Sequence, residues 1–275
     1  MNIPACRASA STPGPSILRS ARLVALTLFL AGLAGISNAL AQSDDFNDGN
    51  DTGWTRYDPL SAFGAPATFS FPSGGYRIQS AASPNPGLLG PGRAGSLRND
   101  QSYSDFAVVF DLVDWNNTQD QAFGALARVS QAGLGTTDGY AFTYSTDGSI
   151  DISRINDETP TGLGSAAITL STANDYRFVF TGLGTVLVGQ VFNLADLSTP
   201  LATASGFDAA FATGVNGLLV FDNSPAGTGA TDATFDNYFA TVPEPSTAGL
   251  LLTGGVGLFF AALRGRSRSS QRTSL

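Results

Sequence analysis

Few residue types in this 275-residue chain could carry chemistry. His is absent, all 14 basic residues are Arg, and the single cysteine is Cys6. Without His and with one Cys, the sequence excludes a Ser-His-Asp triad and the usual zinc sites, and without Lys it excludes Schiff-base chemistry. Carboxylates, amides, hydroxyls, Arg and aromatic rings remain. These groups can bind calcium and sugars, and they can catalyse as acid–base carboxylate pairs.

The carboxylates are the candidates for catalysis, and their spacing does not indicate an active site. Asp111 and Asp114 lie three residues apart, a spacing that sends them to opposite faces of a regular strand. Glu158 lies in the sequence Asn-Asp-Glu-Thr-Pro, which predicts a turn. We therefore predict no catalytic residues and no enzymatic activity. The alternative is a carbohydrate-active enzyme, a glycoside hydrolase or lyase, with an unrecognised carboxylate site.

Asp-rich turns provide oxygen ligands of the kind that calcium prefers. Asp45, Asn47 and Asp48 crowd an early loop, and Asp236 lies in the last predicted strand. If the first and last strands pair, these groups converge. We predict no cofactor other than a structural calcium ion held by these four residues. The alternative is that they are solvated turn residues of an acidic protein.

Aromatic side chains in polar segments could stack on sugar rings while nearby amides and carboxylates accept hydrogen bonds from hydroxyls. Trp54, Tyr57, Trp115 and Tyr144 are the candidates, and Trp115 lies in a polar sequence where a solvent-facing ring would need a partner. We predict ligand binding by Trp54, Trp115 and Tyr144. The alternative is that each ring packs in the core.

Apolar residues alternate with polar ones along much of residues 42–241, interrupted by Gly, Asp, Asn and Pro turns. Alternation over 106–112 and 140–144 predicts strands, and Asp147-Gly148 predicts a hairpin turn. The best candidate for a helix is a brief one over 207–213. About ten to thirteen short strands predict an all-β, antiparallel β-sandwich of the jelly-roll type.

Several short motifs in this region resemble the concanavalin A-like, laminin-G-like jelly roll. They are Asp44–Gly49 with Trp54, Ser104–Phe106, Gly139–Phe142, Tyr176–Phe178 and Phe235–Phe239. The resemblance implies a lectin-like fold, often with structural calcium, and does not by itself imply a function.

The two ends carry export signals. Residues 1–41 contain arginines, a 14-residue apolar run over 23–36 and the small residues Ala39 and Ala41, which together predict a cleaved signal peptide. The alternative is an uncleaved anchor. Residues 242–268 combine Pro243, Glu244 and Pro245 with an uncharged stretch over 247–263, and arginines follow over 264–272. This order predicts a short membrane helix with a cytoplasmic Arg-rich end.

The C-terminal arrangement resembles the PEP-CTERM sorting signal, which implies processing by the membrane protease-transpeptidase exosortase and association with exopolysaccharide and biofilm. The alternative is a plain anchor with an accidental Pro-Glu-Pro. All 20 Asp lie within 42–241 beside seven Arg, so nucleic-acid binding is not expected. The sequence predicts a protein exported across the inner membrane, transiently anchored there, then located at the cell surface or outside. We expect it to be a non-catalytic surface or matrix protein that associates with a glycan.

Overall fold

The computed structural model describes residues 41–243, which form fifteen β-strands. The strands are β1 (Gln42–Asp44), β2 (Thr55–Tyr57), β3 (Thr68–Ser70), β4 (Tyr76–Ser80), β5 (Arg93–Tyr103), β6 (Phe106–Trp115), β7 (Gln121–Gln131), β8 (Asp138–Ser145), β9 (Ser149–Asn156), β10 (Thr159–Ala167), β11 (Tyr176–Leu183), β12 (Val186–Asn193), β13 (Ala202–Phe207), β14 (Gly214–Asp222) and β15 (Thr231–Thr241). Helical structure in this range comprises the one-turn helix α1 (Pro86–Leu89) and two 3₁₀ turns (Ser61–Phe63 and Pro72–Gly74). The strand count exceeds the predicted number because β1, β2 and β3 have three residues each, too few to show alternation.

The strands form two antiparallel sheets, which confirms the predicted sandwich. Sheet A has eight strands in the order β13-β12-β11-β6-β15-β4-β3, with β1 also paired to β15. Sheet B has seven strands in the order β10-β9-β8-β7-β14-β5-β2. The main core lies between the sheets because each strand buries alternate apolar side chains on its inner face.

Aromatic pairs across neighbouring strands fill much of this core. In β6 the side chains of Phe106 and Phe110 are fully buried, and they contact Phe180 and Phe178 of β11 at ring-centroid distances of 5.0 Å each. Burying one such side chain contributes about 1.5–3 kcal/mol, with a smaller addition from ring geometry. The alternation read in the sequence of β6 is therefore the pattern that places its aromatic side chains in the core between the two sheets.

Two local predictions have opposite outcomes. The Asp147-Gly148 hairpin is confirmed: Ser145 pairs with Ser149, and Gly148 has a φ of 106°. The brief helix over 207–213 is wrong. The carboxylate of Asp208 instead accepts hydrogen bonds from the Tyr140 hydroxyl and Ala210 N–H, at 2.8 and 2.7 Å, which hold this segment as an extended loop.

The prediction that Asp111 and Asp114 lie on opposite faces of a strand is also wrong. On β15, the consecutive residues Thr234 and Phe235 pair with Asp114 and Leu112, so β6 has one extra residue in a β-bulge between them. An extra residue reverses the alternation. Asp111 and Asp114 therefore both lie on the outer face of sheet A.

The predicted export signals lie almost entirely outside the described residues. Of the signal peptide, 1–41, only Ala41 is described, and of the sorting signal, 242–268, only Val242 and Pro243 are. Within 41–243, no helix is long and apolar enough to cross a membrane.

Candidate functional site

A groove of about 600 Å³ lies on the outer face of sheet B. Its floor is apolar, because a second cluster of hydrophobic side chains, separate from the main core, occupies this face. The groove floor consists of Tyr57 from β2, Leu126 from β7, Ile155 from β9 and Leu219 and Phe221 from β14. Outer sheet faces are usually polar, so an apolar cluster with a depression above it is a candidate binding surface.

The sequences of β7 and β14 indicate that both faces of these two strands are covered. In β7, residues 121–129 are buried without interruption, and in β14 the burial is nearly continuous. Their sequences contain the short apolar runs 122–127 and 217–221, a pattern that is typical of a strand covered on both faces. Neither groove strand was identified as a site in the sequence, because that pattern shows double burial but not what covers the outer face.

Loops on either side form the walls of the groove. One wall consists of α1, the segment that follows it and the loop after β14, which pack against one another where Gly227 lies beside Pro86 and Pro91; the other wall is the β9–β10 turn with Glu158 and Pro160. The Asp222 carboxylate accepts hydrogen bonds from Ser224 N–H at 2.9 Å and Gly229 N–H at 2.7 Å, which folds the loop after β14 back on itself. Proline residues stiffen the walls, at positions 86, 91, 160 and 225.

A buried ion pair closes the groove between these walls. Arg93 donates from Nε to Glu158 Oε1 at 2.8 Å and from Nη2 to Glu158 Oε2 at 2.5 Å, while its Nη1 donates to Leu89 O and Pro91 O at 2.9 and 2.8 Å. Glu158 lies at the tip of the β9–β10 turn, as predicted, with a φ of 60°. Its side chain points inward, however, and only 15% of it is exposed.

Two further donors bind the Glu158 carboxylate. The Tyr57 hydroxyl donates to Oε1, and Gly135 N–H donates to Oε2 at 2.5 Å. Burial opposes ionisation of Glu158, but the hydrogen bonds from Arg93, Tyr57 and Gly135 outweigh it and lower the pKa of the carboxyl. Burial raises the pKa of Tyr57 to about 12, and its bond to Glu158 acts in the same direction. Both groups are therefore fixed in one protonation state at neutral pH.

A second depression of about 310 Å³ adjoins the groove at Tyr57. Thr55, Leu97, Asn99 and Val215 are among the residues that line it. Because Tyr57 lines both depressions, the outer face of sheet B offers a path that crosses several strands and suits an extended ligand rather than a small compact one.

The three aromatic residues predicted to bind a ligand lie in the main core. The exposed fractions are 9% for Trp54, 4% for Trp115 and zero for Tyr144. Trp54 contacts Tyr238 edge to face at 4.7 Å, and Trp115 contacts Tyr144 at 6.4 Å. The expectation that Trp115 faces solvent is wrong: its polar neighbours are on the surface, while the bulge in β6 turns its ring inward. The alternative interpretation, core packing, describes all three, and they offer no ring face to a sugar.

The predicted calcium ligands are brought near one another only in part. β1 pairs with β15, as expected, and this places the loop after Asp44 beside the last strand. The carboxylates of Asp45 and Asp48 accept hydrogen bonds from Asn47 N–H and Asn50 N–H, each at 3.2 Å, which are local turns. Within residues 41–243, no group of three or more Asp, Glu, His or Cys side chains has the geometry of a metal site.

Asp236 lies in an unfavourable environment for a carboxylate. Burial raises the pKa of Asp236, and the negative charges of Asp111 and Asp45 raise it further, against a hydrogen bond from Asn237 N–H. Asp236 is directly opposite Asp111 in the sheet. A cation at this position would relieve the repulsion, so the charge of the cluster suits calcium, and Asp45 is the predicted ligand whose charge acts on Asp236.

Asp111 has the opposite environment. Its carboxylate is fully buried and accepts two hydrogen bonds from Arg177, at 2.7 and 2.8 Å, and one from Asn237 Nδ2 at 3.0 Å. The sequence did not reveal the Asp111–Asp236 pair, because it depends on the register between β6 and β15 and on a bulge at Asn237, whose φ is 49°.

Comparison with protein-family models finds no match, and neither does comparison with curated protein sequences. Among solved structures, the chain is similar to the carbohydrate-binding module CBM66 from Bacillus subtilis, with 16% identity and a TM-score of 0.50 over 70% of this chain and 97% of that one. It is also similar to the lectin UEA-II complexed with galactose, with 12% identity and a TM-score of 0.51 over 74% of this chain and 99% of the lectin.

The fold is a concanavalin A-like jelly roll. A third similar structure is the Ca²⁺-bound exoplasmic/lumenal domain of VIP36, with 9% identity and a TM-score of 0.51 over 74% of this chain and 90% of that domain. Identities this low establish the jelly roll and not a ligand, so function has to be argued from the groove and from the carboxylate clusters.

Proposed function

We propose that this chain is an exported, non-catalytic surface or matrix protein that binds a glycan in the groove on the outer face of sheet B. The observation that carries the proposal is the groove itself: an apolar floor, stiff walls and an adjoining depression that extends past Tyr57. Similar folds that include a carbohydrate-binding module and a galactose-bound lectin support it. The aromatic residues read from the sequence have no part in this site.

The groove suits binding better than catalysis. A glycosidase acid needs a raised pKa so that it is protonated when substrate binds. Glu158 has its pKa lowered and both of its oxygens occupied, so it holds the walls together and is not placed to donate a proton. The groove can therefore bind and release a glycan, but Glu158 cannot act in it as the general acid that cleaves one.

A retention assay tests glycan binding. We expect the purified protein to be retained on at least one member of a polysaccharide panel that includes exopolysaccharide from the source culture. Phe221→Ala should weaken retention about tenfold, because one buried aromatic contact typically contributes a little over 1 kcal/mol. Val179→Ala, on the outer face of sheet A, is the matched control and should bind as wild type does. Equal binding by both variants would place the site elsewhere, and no retention on any glycan would contradict the proposal.

The Asp111–Asp236 pair gives a second candidate function, glycoside hydrolysis. Asp236 lies directly opposite Asp111 and has a raised pKa, which is the property that the general acid of such an enzyme requires. The complete burial of Asp111 counts against access by substrate. The retention assay distinguishes the two functions: release of soluble oligosaccharide by wild type, lost in Asp236→Asn, would support the hydrolase and overturn the non-catalytic proposal.

We also propose that residues 242–268 are processed by exosortase at the inner membrane, after which the protein reaches the cell surface or the medium. The support is the sequence order of Pro243, Glu244 and Pro245, an apolar stretch and arginines. Intact-mass measurement of exported protein should give a C-terminus near Ser246. Glu244→Ala should leave the chain unprocessed and in the membrane fraction, whereas Thr241→Ala should not. Extracellular wild-type chains ending at Leu275 would contradict this proposal.

We further propose a structural calcium ion at the junction of β1 and β15, with Asp45 and Asp236 as carboxylate ligands and with Asn47 and Asp48 in the adjoining loop. The crowding of Asp236 by Asp111 and Asp45 supports it. Calcium bound there would neutralise repulsion and stabilise the pairing of the two ends of the domain. It would play no direct part in the groove, which lies on the other sheet.

A further inference from the structure

Three of the five side chains on the groove floor are aliphatic, where a sugar-stacking platform would be aromatic throughout. Leu126, Ile155 and Leu219 come from three strands of sheet B, and Phe221 lies beside them. Flat aromatic faces stack on sugar rings, while branched aliphatic side chains leave narrow hollows that accept methyl groups and cannot accept a hydrogen bond. The floor therefore selects for apolar substituents on a ligand and not for hydroxyl groups.

Each charged side chain that lines the groove already has hydrogen-bond partners within the protein. Arg93 and Glu158 bind each other through two hydrogen bonds, and their remaining polar atoms bind neighbouring main-chain and hydroxyl groups. The Asp222 carboxylate is bound by two main-chain N–H groups. A uronate, sulfate or phosphate on the ligand would lose its hydration here and gain no counter-charge, so the groove favours a neutral ligand.

Most of the uncharged polar side chains are also committed to internal bonds; the Ser224 hydroxyl, at the wall, has no partner among the described residues. Thr137 Oγ1 donates to Gly133 O at 2.9 Å, and Asn223 Nδ2 donates to Ser145 Oγ at 2.9 Å. The Tyr57 hydroxyl donates to Glu158. A sugar hydroxyl buried on this floor would have few partners, and an unsatisfied hydroxyl is costly.

We propose that the glycan bound in the groove is neutral and carries methyl groups, from O-acetyl esters or from 6-deoxy sugars. This inference rests on the proposed glycan-binding function and specifies its ligand. Methyl groups enter the hollows between Leu126, Ile155 and Leu219, and main-chain groups of the wall loops remain for the few hydroxyls at the rim. Each methyl group buried in this way strengthens binding about fourfold.

Paired probes that differ only in the methyl groups test the proposal. The first pair is acetylated xylan and the same xylan after alkaline deacetylation. The second is agarose beads that carry L-fucose or L-galactose, which differ in a single hydroxyl group. Polygalacturonate is the charged probe. We expect retention at least about fourfold stronger on the methyl-bearing member of one pair, and the pair that responds identifies the source of the methyl groups. We expect no retention on polygalacturonate.

A floor variant separates the role of the hollows from that of the fold. Ile155→Thr replaces an aliphatic side chain with a shorter β-branched one that carries a hydroxyl, and it should reduce the preference ratio within the responding pair to near one. Val179→Thr, on sheet A, should leave the ratio unchanged. The ratio is measured on whatever protein is folded, so a loss of yield does not affect it.

The outcomes distinguish a failure of the methyl-bearing ligand from a failure of the proposed glycan-binding function. Equal retention on both members of each pair, or stronger retention on polygalacturonate, would overturn the methyl-bearing ligand while leaving glycan binding in place. No retention on any probe, including exopolysaccharide from the source culture, would overturn both.

Discussion

Replacing Glu158 with Gln is expected to lower the free energy of unfolding by about 3–5 kcal/mol, the usual cost of breaking a buried ion pair by removing one partner. The variant leaves the guanidinium of Arg93, whose side chain is 9% exposed, without a counter-charge. It also frees the wall loops that this pair joins. Urea denaturation of the purified wild-type and variant proteins measures the difference.

A surface pair provides the matched control for this variant. Arg98 and Asp100 approach within 3.2 Å, but 54% of the Asp100 side chain is exposed. Asp100→Asn removes the same charge and should cost less than about 1 kcal/mol, because water screens exposed pairs. Equal losses of stability in the two variants would contradict the conclusion that Glu158 and Arg93 form a buried ion pair that joins the walls of the groove.

The pH dependence of stability follows from the lowered pKa of Glu158. A carboxyl whose pKa is lower in the folded state contributes stability that is fully present above its ordinary value of 4.5 and is lost as the pH falls through the folded-state value. The free energy of unfolding of the wild type should therefore fall as the pH drops below about 4.5. Glu158→Gln should have a flatter profile there, and parallel profiles for the two proteins would contradict the shift.

Removal of calcium is expected to destabilise the protein. A ligand that binds only the folded state adds about 2.7 kcal/mol at a hundredfold excess over Kd. A chelator should therefore lower the melting temperature by several degrees. Asp236→Asn should abolish this response and at the same time stabilise the chelated protein by about 0.2–1 kcal/mol, because it removes a like charge directly opposite Asp111.

The opposite signs of these two effects make the calcium test specific. Asp196→Asn changes the charge by the same amount on an exposed loop and should leave both the chelator response and the stability of the chelated protein unchanged. Identical melting curves of wild type with and without chelator would contradict the calcium site. Loss of stability in chelated Asp236→Asn would contradict the repulsion between Asp236 and Asp111.

The sequence alone determined the class of the fold. Alternation along β6 and β8 predicted strands that bury one face, and the Asp147-Gly148 turn predicted the hairpin that joins β8 to β9. Such features are local: side-chain period and turn conformation depend on residues a few positions apart. The missing His, Lys and paired Cys likewise limited the chemistry before any contact was known.

Only the tertiary structure decided which residues form the sites. Trp115 appeared suited to a ligand because of its neighbours in sequence, but a single bulge in β6 turned it into the core. Arg93 and Glu158 are 65 positions apart, and Asp111 and Asp236 are opposed through the register of two strands. A one-residue bulge exchanges the faces of a strand, and the covering of an outer face depends on distant loops. The groove and the carboxylate pair result from these long-range arrangements, which no local pattern of residues records.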